Sequence, residues 1–218
     1  MPSKSAARTL VCSHLCIEII DYAVPSSADQ LFQKQQFNIA LSGALAGIAA
    51  RDRIVLEFLG ETAAVFLGDP EDALKVALRV RGALREPATS DRPAPSVRFG
   101  INHGPIRLIR DINGQLNGVG DGLVVARTIT KFAKSQQILV SRSFHDVVVL
   151  LFERLAGLFD YQGIRIDQDQ REHEVFAAPL LGWDSIRPII ESGLALRRQG
   201  KGARWPGAAS AWFRKLFR

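Results

Sequence analysis

The 218-residue sequence predicts an α+β sandwich in which helices cover a mixed β-sheet built with antiparallel hairpins. Three observations carry that class. Apolar runs bounded by turn residues alternate with amphipathic stretches in the order βαββαββαβ. Two strand pairs meet at turns, one through Gly60-Glu61 and one through the polar stretch Asp167–Glu172. A hydrophobic content of 47% is enough for a chain of this length to bury one good-sized core.

Arg8 to Asp21 is dominated by Leu, Val, Cys and Ile and reads as a buried strand. Pro25-Ser26-Ser27 breaks it, and Ser26 or Ser27 caps a helix to about Gly47. Leu31, Phe32, Phe37, Ile39, Leu41 and Leu45 are its expected apolar face. Arg53 to Phe66 holds two strands, and Asp69-Pro70 is expected to start the next helix, with Pro at its first position. There Ala73, Val76, Ala77, Val80 and Leu84 recur at three and four residues, the spacing of one helix face. Glu86–Ser96 is a Pro-rich loop. Val97–Ser141 reads as a strand ending at Gly100–Gly104, a polar hairpin, a helix opened by Gly120-Asp121-Gly122, and a further apolar strand. Phe144–Leu155 is helical, Leu158–Pro179 is a closing antiparallel pair, and Trp183–Leu196 is a short helix. No internal repeat is visible.

Charge divides the chain. The net charge is +6, yet Arg197–Arg218 carries Arg197, Arg198, Lys201, Arg204, Arg214, Lys215 and Arg218 with no acid, so the rest is near neutral. In Ala208–Arg218, Trp212, Phe213, Leu216 and Phe217 recur at helical spacing between Arg214, Lys215 and Arg218, with Arg204 and Trp205 just before. Such a basic amphipathic segment suits an anionic membrane surface or a partner's groove, or folds back on its own domain or a dimer mate. Nucleic acid is the weaker option, because no readable motif accompanies the charge.

No apolar run reaches the roughly 18–20 residues of a membrane-spanning helix. The opening MPSKSAART has no apolar stretch of signal-peptide type. The expectation is a cytoplasmic protein, with the tail as its candidate contact at the inner membrane surface. Cys12 and Cys16 read as small buried residues in a reducing compartment.

The order strand–hairpin–glycine–helix–strand in Val97–Ser141 resembles the catalytic core of class III nucleotide cyclases, the adenylate and guanylate cyclase family. The resemblance spans roughly residues 8–178. It implies a ferredoxin-like, palm-type mixed sheet with covering helices, a cyclase homology domain at 8–180 and a separate basic tail at 181–218. It also implies a head-to-tail homodimer, or a heterodimer with a cyclase-like chain.

Matched to the family motifs, Glu18 stands where the first-strand metal Asp belongs, and Glu61, after Gly60, stands at the second. Two carboxylates brought together repel unless cations neutralise them, so the resemblance implies Mg²⁺ or Mn²⁺ at Glu18 and Glu61. The alternative is two partly solvated acids near hairpins. Glu57 and Asn117 fall at the base-reading positions, where a carboxylate can accept from the guanine edge; on an outward strand face Glu57 is equally a solvated residue.

Three positions break the pattern. Val124 and Thr128 replace the Asn that orients the ribose and the Arg that steadies the phosphates, and Asp167 falls near the phosphate-binding Lys. Arg127 lies one step, about 100°, from Thr128 around the helix and is expected to point elsewhere. A missing transition-state cation is worth roughly 3–5 kcal/mol. These losses point to a degenerate, non-catalytic domain acting as a regulatory or interaction module in signalling. The alternative is a divergent active cyclase using Glu18, Glu61 and a divalent metal. His103 reads as a structural histidine, and Gly118–Gly122, with no Lys-Ser/Thr after it, as a helix entry rather than a P-loop.

Overall fold

β1 (Thr9–Ile19) is buried from Cys12 to Ile17 because both of its faces are covered. Its side chains alternate, so Leu15, Ile17 and Ile19 go to one layer while Cys12, His14, Cys16 and Glu18 go to the other. Around it the computed structural model, which describes residues 9–85 and 94–198, builds one eight-stranded mixed sheet. The order is β2-β3-β1-β4-β6-β8-β7, with β5 pairing to β4. The strands are β2 (Arg53–Glu57), β3 (Glu61–Phe66), β4 (Val97–Arg110), β5 (Leu116–Val119), β6 (Ile138–Ser141), β7 (Asp160–Ile166) and β8 (Glu172–Ala177). β4 and β6 run parallel; the other pairs are antiparallel.

The main core lies on the Leu15 face under α1 (Ser27–Leu45), α2 (Asp72–Arg85), α4 (Arg142–Leu151) and α5 (Trp183–Arg198). α1 starts at Ser26, whose hydroxyl accepts from the Asp29 amide. It buries Phe37, Ala40, Leu41, Ala44 and Leu45, whereas Leu31 and Ile39 are 60% and 68% exposed. Phe37, Leu41 and Leu45 are buried as expected, while Ala40 and Ala44 take the places expected for Leu31 and Ile39. α2 begins at Asp72, whose amide donates to the Asp69 carbonyl, so Asp69-Pro70 forms the lead-in turn rather than the first helical turn. α4 stops at Leu151 and continues as a 3₁₀ stretch, Glu153–Leu158.

The short helix expected at Trp183–Leu196 is α5, and its Ile186 and Ile190 are buried in the main core. Arg81, 2% exposed on α2, donates through Nη2 to the Pro179 and Leu181 carbonyls and ties the lead-in of α5 to the domain. Most of the Pro-rich loop lies outside the described residues, as do Arg204, Trp205, Trp212, Phe213, Arg214, Lys215 and Phe217.

Among the described helices only α3 (Asp121–Phe132) lies on the opposite face, pressing Gly122, Ala126, Ile129 and Thr130 against β1, β4 and β6. Gly100 on β4 makes this possible: a Cβ there would collide with the Ala126 carbonyl and with Thr130. Gly120 opens the helix at φ 147°, a backbone angle that side-chain-bearing residues rarely adopt. That matches the helix-entry reading of the glycine run.

Candidate functional site

Register brings the two predicted metal acids together. Glu18 on β1 is the direct cross-strand partner of Glu61 at the start of β3, and on its other side Glu18 pairs with Arg98 on β4. The three side chains therefore stand in one row on the face covered by α3. The two-residue loop Leu59-Gly60 sets Glu61 at the hairpin end, with Phe58 and Glu61 exchanging backbone hydrogen bonds.

Neither carboxylate is open. The Arg98 fork meets both Glu18 oxygens, Nη2 at 2.8 Å from Oε1 and Nε at 3.2 Å from Oε2. Arg98 Nη1 also donates to the Lys131 carbonyl near the end of α3. Glu61 is 8% exposed; Arg127 Nε lies 2.8 Å from Oε1 and 3.0 Å from Oε2, and the Cys16 thiol donates to Oε1 at 3.2 Å. Burial, then the charge of Glu61 and the bond to it, hold the Cys16 thiol well above its ordinary pKa, so it stays a donor.

Arg127, offset by one residue from Thr128, directs its guanidinium onto Glu61, a pairing the sequence did not suggest. The row Arg127–Glu61–Glu18–Arg98 is thus neutral within one chain. A hard divalent ion requires carboxylate oxygens free to coordinate it. Here both Glu18 oxygens and Glu61 Oε2 accept from guanidiniums and Glu61 Oε1 accepts from the Cys16 thiol, so the side chains as placed do not fit Mg²⁺ or Mn²⁺. Among the described residues no group of three or more His, Cys, Asp and Glu is arranged around a common metal position.

The remaining predicted positions stand apart from that row. Val124 is 52% exposed on the outer face of α3, and Thr128 is half-buried one turn later. Asp167 closes the β7–β8 turn, accepting from the Asp169 and Arg171 amides and from His173 Nε2 at 2.8 Å. The His173 bond, with help from those amides, holds the Asp167 carboxyl below its usual range. Glu57 pairs with Lys34 of α1 at 3.5 Å, while the Asn117 side-chain carbonyl accepts from the Gly118 amide at 2.6 Å. No hydrogen bond joins Glu57 to Asn117.

At the other end of α3, roughly 10–15 Å along its axis at 1.5 Å per residue, a cavity of about 700 Å³ opens between α3, α4 and β8. Asn102, His103, Asp121, Arg142 and His173 are among its lining residues. Asn102 is structural: its Nδ2 donates to the Gly122 carbonyl and its Oδ1 accepts from Ser143. His103 shares a hydrogen with the Ser13 hydroxyl, and burial lowers its pKa. Of these only the Asn102-His103-Gly104 and Gly120-Asp121-Gly122 runs stood out in the sequence. Arg142 pairs with Asp146 one turn on along α4, a spacing the sequence could have shown, and with Glu174 of β8, which only the topology brings to it.

No family model matches the sequence, and no curated protein matches it. Solved structures do match. The guanylate cyclase domain of RhGC from Catenaria anguillulae, in complex with GTP, superimposes with a TM-score of 0.65 at 16% identity, covering 79% of this chain and 98% of that one. The adenylate/guanylate cyclase/hydrolase from Silicibacter pomeroyi gives 0.62 at 22% identity, covering 79% and 98%. The dimeric guanylyl cyclase domain of the RhoGC fusion protein from Blastocladiella emersonii gives 0.61 at 16%, again covering 79% and 98%. The eight-stranded mixed sheet with its covering helices is the fold of class III adenylate and guanylate cyclase domains.

Proposed function

We propose that this chain is a non-catalytic cyclase-like domain that works as a regulatory or interaction module in signalling. The observation that carries the reading is the outer face of α3. There Val124 and Thr128 present a methyl-bearing surface at the positions where the cyclase resemblance requires an amide and a guanidinium. Asp167, at the third such position, is spent on holding its own turn. Without these donors nothing fixes the ribose or offsets charge growing on a triphosphate.

The module pairs with a second cyclase-like chain, its own copy or another. Exposed Ile112, Leu116 and Val119 on and beside β5 supply apolar surface for this. The RhoGC domain has been solved both as a dimer and as a monomer, so such pairing is compatible with the fold but not required by it. The basic aromatic segment from Arg204 to Arg218 supplies a second contact, with an anionic membrane surface. No helix among the described residues is long and apolar enough to cross a membrane.

Purified full-length protein incubated with each nucleoside triphosphate and Mn²⁺ should give no cyclic product above background. Turnover that Glu61→Ala abolishes would sink the non-catalytic reading in favour of a divergent cyclase. Anionic vesicles should pellet the full chain and leave a form lacking residues 199–218 in the supernatant. Equal pelleting of both forms would remove the membrane contact.

A further inference from the structure

The Glu18–Glu61 row carries an inference that rests on the non-catalytic reading and deepens it. We infer that the chain's own arginines stand in for divalent cations at this position, and that Arg127 is the residue that closes the site. The physical problem is the same with or without metal: two carboxylates on adjacent strands, directly opposite in register, repel each other. In a protein that binds metal, the ions solve it. Here two guanidiniums solve it, one for each acid. The row is balanced before any ion arrives, so an incoming divalent cation gains no net attraction and must first displace a charge-assisted hydrogen bond.

The two arginines are not equivalent. Arg98 is a fixture of the sheet: it lies beside Glu18 in register, spends all three of its nitrogens on Glu18 and the Lys131 carbonyl, and its side chain is 23% exposed. Arg127 enters from α3, its side chain is 59% exposed, and only its Nε is committed, to a carboxylate that is itself 9% exposed. Removing Arg127 takes little packing away. It leaves the Glu61 carboxyl buried and held by one thiol, next to Glu18 across the strand pair. That arrangement invites a cation from solution.

The test is direct Mn²⁺ binding to the full-length protein, read from the electron paramagnetic resonance signal of the free ion, with no activity involved. The wild type should show no Glu61-dependent site at millimolar Mn²⁺. Arg127→Gln should gain one, at least roughly tenfold tighter than any wild-type binding, on the scale of second-shell effects on metal affinity. Adding Glu61→Gln should abolish it. Arg127→Lys, which keeps the charge, should stay closed. A Glu61-dependent site already present in the wild type overturns the inference, and so does a folded Arg127→Gln that gains nothing. Should Arg127→Gln fail to fold, the wild-type and Arg127→Lys titrations still decide, since binding in either sinks the proposal. A wild type that binds Mn²⁺ yet makes no cyclic product would sink this inference alone and leave the module reading standing.

Discussion

The two faces of α3 were shaped by different demands. Its inner face, Gly122, Ala126, Ile129 and Thr130, is pressed so closely on the sheet that Gly100 opposite cannot carry even a methyl group. Its outer face carries exposed Val124, Arg127 and Lys131 with half-buried Thr128, and meets the sheet through the Arg127–Glu61 pair and the Arg98 bond to the Lys131 carbonyl. The inner face is held by close packing on the sheet. The outer face is where the cyclase resemblance would put chemistry, and there Val124 and Thr128 stand at the positions expected to hold Asn and Arg. The fold is shared with a GTP-bound cyclase domain at 16% identity, and fold alone does not fix what the outer face does.

The sharpest way to break this contrast is a matched pair of truncations on the one helix. Ile129→Ala, at a position with no exposure, should cost about 2–5 kcal/mol of unfolding free energy through lost burial and the cavity left behind. Val124→Ala, at 52% exposure, should stay within about 0.5 kcal/mol of wild type. Urea unfolding followed by far-UV circular dichroism measures both. If Val124→Ala costs as much as Ile129→Ala, the outer face is packed against something, such as a second chain, and the contrast fails for the isolated protein.

The same contrast explains what could be read from residue order. Strands and helices were legible because burial imposes periods of two and 3.6 on the apolar residues, as with Ala73, Val76, Ala77, Val80 and Leu84 on α2. The face of α1 was legible only in part: Phe37, Leu41 and Leu45 are buried as expected, but counting large side chains favours Leu31 and Ile39 over the buried Ala40 and Ala44. Glu18 and Glu61 were legible as a pair only through resemblance. Their guanidinium partners were not legible at all: Arg98 lies 80 residues from Glu18 and Arg127 lies 66 from Glu61, and only strand register and helix docking bring them together. Local patterns are written along the chain, whereas electrostatic partners are written in the topology.

A smaller effect tests the inner face through protons. His14 has no exposed surface, and its ring lies directly under Gly122, so that a Cβ there would strike the ring. Its Nε2 sits 3.1 Å from the Gly104 carbonyl, which fixes the neutral tautomer as the donor. Burial lowers the His14 pKa below its ordinary 6.5, with the nearby His103 acting in the same direction and the Gly104 bond opposing. The unfolded chain therefore binds a proton at a higher pH than the folded one. Stability from this site is complete above about pH 6.5, the unfolded value, and falls as pH drops below it, because the unfolded state gains the proton first. His103, lowered by burial, adds to the same slope. Melting temperature should therefore fall between pH 7.5 and 5.5, and His14→Gln should flatten that dependence while lowering stability at both ends. An unchanged slope in His14→Gln would mean that the ring binds its proton equally in the folded and unfolded chain, and that the inner face tolerates a charge there.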